Sequence, residues 1–177
     1  MRKLKLEELN RVDVDTFKQQ DKIAVSVILD NIRSAHNVGS IFRTCDGFAI
    51  EHIYLCGITA RPPHKEINKT AIGATMSVDW SYNENITKVI SDLKLRGYKI
   101  LGMEQTNNTV SLQDLNIDPA QKYVIILGNE VEGVSDEAIA LLDQAVEIPQ
   151  FGTKHSFNVS VCAGICLYSL SNGMRAM

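Results

Sequence analysis

Two short apolar runs rich in β-branched residues, 24–29 (AVSVIL) and 122–127 (KYVIIL), constrain the fold more than any other feature. A strand apolar along its length must be covered on both faces. Parallel sheets flanked by helices provide that cover, whereas half-solvated antiparallel sheets do not. Between such runs the spacing switches to three and four. After Asn37, which can cap a helix, Ile41, Phe42, Cys45, Phe48 and Ala49 predict a one-sided helix lying on a sheet. The segment 52–56 predicts a second strand, and 65–71 a helix after the irregular Arg61-Pro62-Pro63-His64. A short strand over 78–82, a helix over 85–96 stopped by Gly97 and a strand over 98–103 follow. Ser135 opens a helix carrying Asp136 and Glu137 in its first turn, 145–148 is the last strand, and a helix over 158–171 ends the chain with Gly173 as its stop.

This alternation predicts an α/β fold, a parallel sheet with helices on both faces. A polar helical leader occupies 1–22, with its helix over 6–18, and 23–177 forms one domain. No repeat, low-complexity tract or linker divides it, and 177 residues suit a single core. No uncharged apolar run reaches the roughly 18 residues of a membrane span, and the start carries acids where a secretory leader is apolar, so the expectation is a cytoplasmic protein with no membrane partner. Cys45, Cys56, Cys162 and Cys166 stand apart in apolar surroundings, which reads as reduced core thiols. No His/Cys spacing suits a metal, and none is expected.

Net charge is −3, but it is unevenly spread. Residues 1–100 hold 15 Lys and Arg against 12 Asp and Glu, and 101–177 hold 3 against 9. Either a polyanion meets the first part and a cationic ligand the second, or two faces are simply solvated differently. The chain lacks G-x-G, G-x-x-x-x-G-K-[ST], G-x-S-x-G and H-E-x-x-H, which sets aside dinucleotide, P-loop, hydrolase and zincin sites.

What remains is three polar segments, 30–43, 127–135 and 148–158, each just after an apolar strand. In a parallel sheet such segments share one rim, outside the carboxyl ends of the strands, where ligands bind. Asn37 sits at the mouth of the first helix and Arg43 nearly two turns on. The Arg43 guanidinium suits a two-point grip on phosphate or carboxylate, or else it braces an acid such as Glu130. Gly128 and Gly133 frame Glu130, allowing a bend close to a ligand or a plain strand-to-helix turn. Ser156 and Asn158 open the last helix, where Asn158 can serve as a cap. His155 reads as a loop histidine, and Cys162 with Cys166 as core packing.

In order and spacing, N-V-G-S-I-F-R-T (37–44), L-G-N-E-V-E-G-V-S (127–135) and I-P-x-x-G-x-x-x-S-F-N-V-S (148–160) resemble the three motifs of the SpoU-type (TrmH-like) RNA 2'-O-methyltransferases of the SPOUT superfamily. The similarity covers about 25–170. It implies a C-terminal deep trefoil knot, a rare departure from unthreaded topology, S-adenosylmethionine as cofactor, and a homodimer with its active sites near the interface. It implies catalytic roles for Asn37, Arg43, Glu130, Ser156 and Asn158, and cofactor contacts from Gly102, Met103, Gly128, Asn129, Ile148 and Phe157. Val131 stands where the family usually has glycine, Phe157 where leucine is usual and Gln150 where methionine is usual, changes that bear on pocket width.

The implied reaction moves a methyl group to a ribose 2'-hydroxyl. The family's arginine has been cast as the base, but a pKa above 12 makes a neutral guanidine costly at pH 7. A role for Arg43 as phosphate clamp and alkoxide stabiliser fits better, with Glu130, Ser156 and Asn158 fixing geometry. Arg33, Arg61, His64, Lys65 and Lys69 are the expected phosphate contacts, and the 2'-hydroxyl requirement excludes DNA. Only about 22 residues precede the first strand, so tRNA is expected ahead of rRNA. A noncatalytic RNA-binding protein that kept the fold is the alternative.

Overall fold

The apolar runs form one seven-stranded sheet in the computed structural model, which describes residues 1–175. Ala176 and Met177, the end of the expected domain, lie outside the described residues. The strands are β1 (Ile23–Asp30), β2 (Ile50–Cys56), β3 (Trp80–Asn83), β4 (Tyr98–Met103), β5 (Thr109–Ser111), β6 (Lys122–Leu127) and β7 (Gln144–Glu147). Their order is β3-β2-β1-β6-β4-β7-β5, and every pairing is parallel. All carboxyl ends therefore share one rim, and the polar segments after β1, β6 and β7 meet there.

The helices are α1 (Val14–Gln19), α2 (Ala35–Phe48), α3 (Lys65–Ala71), α4 (Ala74–Ser77), α5 (Ile86–Leu95), α6 (Asp136–Ile139) and α7 (Val159–Arg175). Alternation along the strands divides the core in two. Val25, Val27 and Leu29 of β1 with Tyr123, Ile125 and Leu127 of β6 pack under α2 and α7, through Ile41, Phe42, Cys45, Cys166, Leu167 and Leu170. Ile28, Val124 and Ile126 face the other way, toward Ile86, Val89, Ile90 and Leu93 of α5 and Ala138 of α6. Each fully buried leucine or isoleucine contributes about 1.5–3 kcal/mol, so both helical layers are held chiefly by this apolar contact.

Ser34, not Asn37, caps α2: its hydroxyl accepts from the Asn37 amide at 3.3 Å, and Asn37 lies in the first turn with its amide side chain released for other work. Gly173 does not stop α7, which runs on to Arg175. A Cβ there would sit 2.7 Å from Ile117 Cδ1, so this glycine serves close packing. The leader is not one helix but a 3-10 turn over Leu6–Leu9 and then α1, whose Phe17 is buried. The helix after Ser135 is a single turn. The short α4 and the edge strand β5 carried no periodicity to read. Asn158 caps α7 as expected: its carbonyl accepts from the Cys162 amide and its side chain from the Ser160 amide, both at 2.9 Å.

Candidate active site

Glu130 joins two of the polar segments. Its Oε2 accepts from the Arg33 amide at 2.9 Å, and its Oε1 from the Ser34 amide at 3.1 Å and from Asn37 Nδ2 at 2.9 Å. The carboxylate thus sits at the amide-rich N-terminus of α2, where negative charge is favoured. Burial pushes its carboxyl up, but the hydrogen bonds from the Arg33 amide, Asn37, its own amide and the Ser34 amide outweigh that and hold it below the usual range. It is ionised at pH 7 and fully occupied as a bracket, not poised as a base. Asn37 then passes the connection on, for its Oδ1 accepts from Asn158 Nδ2 at 3.2 Å. One amide side chain links all three segments.

The loop carrying Glu130 is equally constrained. Asn129 and Gly133 exchange backbone hydrogen bonds at 2.8 and 2.9 Å, and Asn129 Oδ1 accepts from the Val131 and Glu132 amides. Asn129 Nδ2 donates to the Asn31 carbonyl at 2.8 Å, anchoring the loop to the end of β1. Gly128 is obligatory, since a Cβ would lie 2.2 Å from the Gly133 carbonyl carbon. Beneath the loop, buried Asp30 accepts from the Ser135 amide at 2.8 Å.

Between this loop, the end of β4 and 146–162 lies a cleft of about 470 Å³. Met103, Leu127, Val146, Ile148, Val159 and Cys162 give it an apolar wall, and Glu104, Glu130, Glu132 and Glu147 put four carboxylates around it. Gly128, Asn129, Ser156, Phe157 and Asn158 also line it. Phe157 is 41% exposed, and no hydrogen bond is made by the Ser156 side chain among the described residues. Gly102 stands one residue behind the wall, where a Cβ would meet Leu142 Cδ1 at 2.4 Å. The His155 carbonyl, not its ring, ties the 150–158 loop, accepting from Gln105 Nε2 and Gln150 Nε2, each at 3.3 Å.

Arg43 is not in this cleft. It lies in a separate recess with Ser40, Thr44, Gly47, Phe48, Lys69, Thr70 and Gly164, and among the described residues its side chain forms no hydrogen bond or ion pair. The bracing role toward Glu130 is therefore excluded: the acid's partners are Arg33, Ser34 and Asn37. Of the expected phosphate contacts, the Arg33 side chain is exposed, His64 Nδ1 caps α3 by accepting from the Glu66 amide at 3.2 Å, and Lys65 is exposed. Lys69 pairs with Glu66 at 2.9 Å, and Arg61 lies over the Tyr82 ring, 4.4 Å from its centroid.

The model of the SpoU rRNA Methylase family matches residues 24–168, spanning all three segments. The chain belongs to this family. It is 32% identical over 157 residues to the tRNA (guanosine(18)-2'-O)-methyltransferase of Aquifex aeolicus, covering 85% of this chain and 69% of the relative. It is 30% identical over 162 residues to a putative TrmH family tRNA/rRNA methyltransferase of Staphylococcus saprophyticus, covering 89% of this chain but only 64% of that protein. Among solved structures, the A. aeolicus TrmH/SpoU tRNA modifying enzyme superposes with a TM-score of 0.80 at 26% identity, over 92% of this chain and 81% of the other. The SpoU methyltransferase AviRb of Streptomyces viridochromogenes, solved with AdoMet, shares the fold at a TM-score of 0.80 and 21% identity, over 93% of this chain and 66% of its own.

Glu104, which is not among the residues expected from the sequence, also lines the cleft. Its Oε2 accepts from the Val134 amide and its Oε1 from the Gln105 amide, both at 2.9 Å. An acid directly after the apolar strand 98–103 was the available signal. Cys162 packs against the core as expected and in addition lines the cleft, while Cys166 is buried with its sulfur 3.4 Å from Met103 Sδ.

Proposed function

We propose that this SpoU protein is a tRNA 2'-O-methyltransferase that uses S-adenosylmethionine and acts as a homodimer. The carrying observation is the Glu130–Asn37–Asn158 linkage, which gathers the three segments beside one acid-lined cleft at the carboxyl rim. The cleft fits the cofactor by its chemistry. An apolar wall suits a purine, and four carboxylates suit a molecule bearing a sulfonium and an ammonium. Met103, Gly128, Asn129, Ile148 and Phe157 would hold it, while Gly102, expected to join them, packs against Leu142 behind the wall. When bound, it supplies an electrophilic methyl group.

The chain's own residues do the rest. Glu130 and Asn37 fix the rim, and Asn158 and Ser156 present an amide and a hydroxyl to the ribose. Arg43 grips the neighbouring phosphate and stabilises the alkoxide that develops as the 2'-hydroxyl proton passes to a phosphate oxygen or water. Since Arg43 faces a different recess from the cleft, it comes from the second protomer. α7 supports this arrangement, because it exposes Val161 (51%), Ile165 (37%) and Tyr168 (59%) in a stripe beside Gly164, which borders the Arg43 recess.

The knot belongs to the same proposal. β7 lies between β4 and β5, yet α7 returns to pack on β1 and α2, with Gly173 against Ile117 of the segment joining β5 to β6. Residues 23–177 are the catalytic domain and 1–22 a leader attached through Phe17. The protein works in the cytoplasm on RNA and not DNA, since DNA has no 2'-hydroxyl; no helix among the described residues is long and apolar enough to cross a membrane. The test is transfer of a tritiated methyl group from S-adenosylmethionine to bulk tRNA, with rRNA and DNA in parallel. Alkali-resistant label in tRNA is expected, and label in none of them overturns the reading.

A further inference from the structure

At the far end of the rim from the cleft, the turn after β2 displays an apolar side chain with no structural use. Thr59 is buried, its hydroxyl donating to the Leu29 carbonyl at 3.1 Å and accepting from the Ile32 amide at 3.0 Å. Gly57 adopts φ +59, and the Ile58 amide donates to Asn31 Oδ1 at 3.1 Å. The backbone is thus fixed on both sides, and between these anchors Ile58 stands 69% exposed. Beside it the Tyr82 ring, 37% exposed, is held through its hydroxyl to the Gly57 carbonyl at 3.0 Å, with the Arg61 guanidinium over it at 4.4 Å.

A rigid isoleucine, tyrosine and arginine together form a stacking surface. Its surroundings carry cations: Arg61 and Lys65 follow closely in the chain, and the nearby carboxylate of Glu66 is paired with Lys69 at 2.9 Å. Resting on the methyltransferase reading, we infer that Ile58, Arg61 and Tyr82 form a platform on which an unpaired nucleobase of the RNA substrate stacks, its phosphates held by His64 and Lys65. The platform spans β2 and β3, and the cleft begins at β6, three strands away from β3 or about 14 Å. Stacked nucleotides advance by about 3.4 Å, so the base received here is not the immediate neighbour of the methylated nucleotide. Asn31 connects the two sites, for it binds the Ile58 amide through its side chain and Asn129 of the cleft loop through its carbonyl. The platform therefore selects RNAs with a splayed base at a set distance from the target.

The test measures anisotropy with a fluorescein-labelled tRNA transcript and, separately, a fully paired RNA duplex, with S-adenosylmethionine affinity followed by calorimetry. Tyr82→Ala is expected to weaken tRNA binding about tenfold to a hundredfold, to leave duplex binding within twofold and to leave cofactor affinity unchanged. Tyr82→Phe retains most of the tRNA affinity. Ile58→Asp, on an exposed turn, repeats the loss should the alanine variant fold poorly. Equal losses on tRNA and duplex, or tRNA affinity within twofold of wild type in both Tyr82→Ala and Ile58→Asp, overturn the platform. A wild type that binds tRNA but no cofactor overturns the methyltransferase reading and leaves the platform to be judged by binding alone.

Discussion

At the scale of single residues, Arg43 and Glu130 divide the labour. Among the described residues the Arg43 side chain has no hydrogen-bond or ion-pair partner, and in the proposed reaction it acts on charge that develops in the transition state, so Arg43→Ala is expected to lower single-turnover methylation by about 10²–10³, with cofactor affinity unchanged. Arg43→Lys loses nearly as much, since an ammonium cannot make a planar two-point grip. Near wild-type turnover in Arg43→Ala would remove it from catalysis. Glu130 instead holds structure. Glu130→Gln turns an NH₂ toward amide donors and should reduce stability by about 1 kcal/mol at pH 7, the acid being exposed enough for solvent to screen it. Its carboxyl is lowered in the folded state, so its contribution is full above the ordinary carboxylate range and is lost as pH falls through the lowered value. Denaturant midpoints of wild type and Glu130→Gln should converge as the pH falls below the ordinary carboxylate range; a constant gap would contradict the bracket.

Among the elements, α2 shows what sequence can and cannot disclose. Its apolar face was readable from Ile41, Phe42 and Cys45, because helical period is local. Its true cap was not, since Ser34 and Asn37 are both good caps and only the carboxylate arriving from Glu130 decides which amide side chain is needed elsewhere. Gly173 misled for a similar reason: a helix-stop residue was in fact making room for Ile117, a long-range contact without local trace. Gly39 is the counterpart on α2, where a Cβ would lie 2.2 Å from Thr70 Oγ1 and 2.3 Å from the Ile67 carbonyl oxygen. Gly39→Ala must push α3 away and should cost about 1–3 kcal/mol, read as a lower denaturation midpoint. An unchanged midpoint would mean that α2 and α3 are not locked together.

For the whole molecule, the parallel sheet and the shared rim followed from the alternation of elements, and the three motifs were readable as one constellation. The separation of Arg43 from the cleft was not, because it depends on how α2 is turned against its neighbours, and the proposed second protomer leaves no mark in one chain's sequence beyond the apolar stripe of α7. If the proposed dimer forms through that stripe, Ile165→Asp should yield a particle of 19.6 kDa by light scattering and abolish methylation while each protomer still binds cofactor. Full activity in a monomer would show that each protomer carries its own complete site. Nuclease digestion of tRNA incubated with S-adenosylmethionine and the protein, followed by mass spectrometry, is expected to yield one 2'-O-methylnucleoside whose rate of formation falls sharply with Arg43→Ala; a base-methylated nucleoside, or no methylated product, would contradict the account.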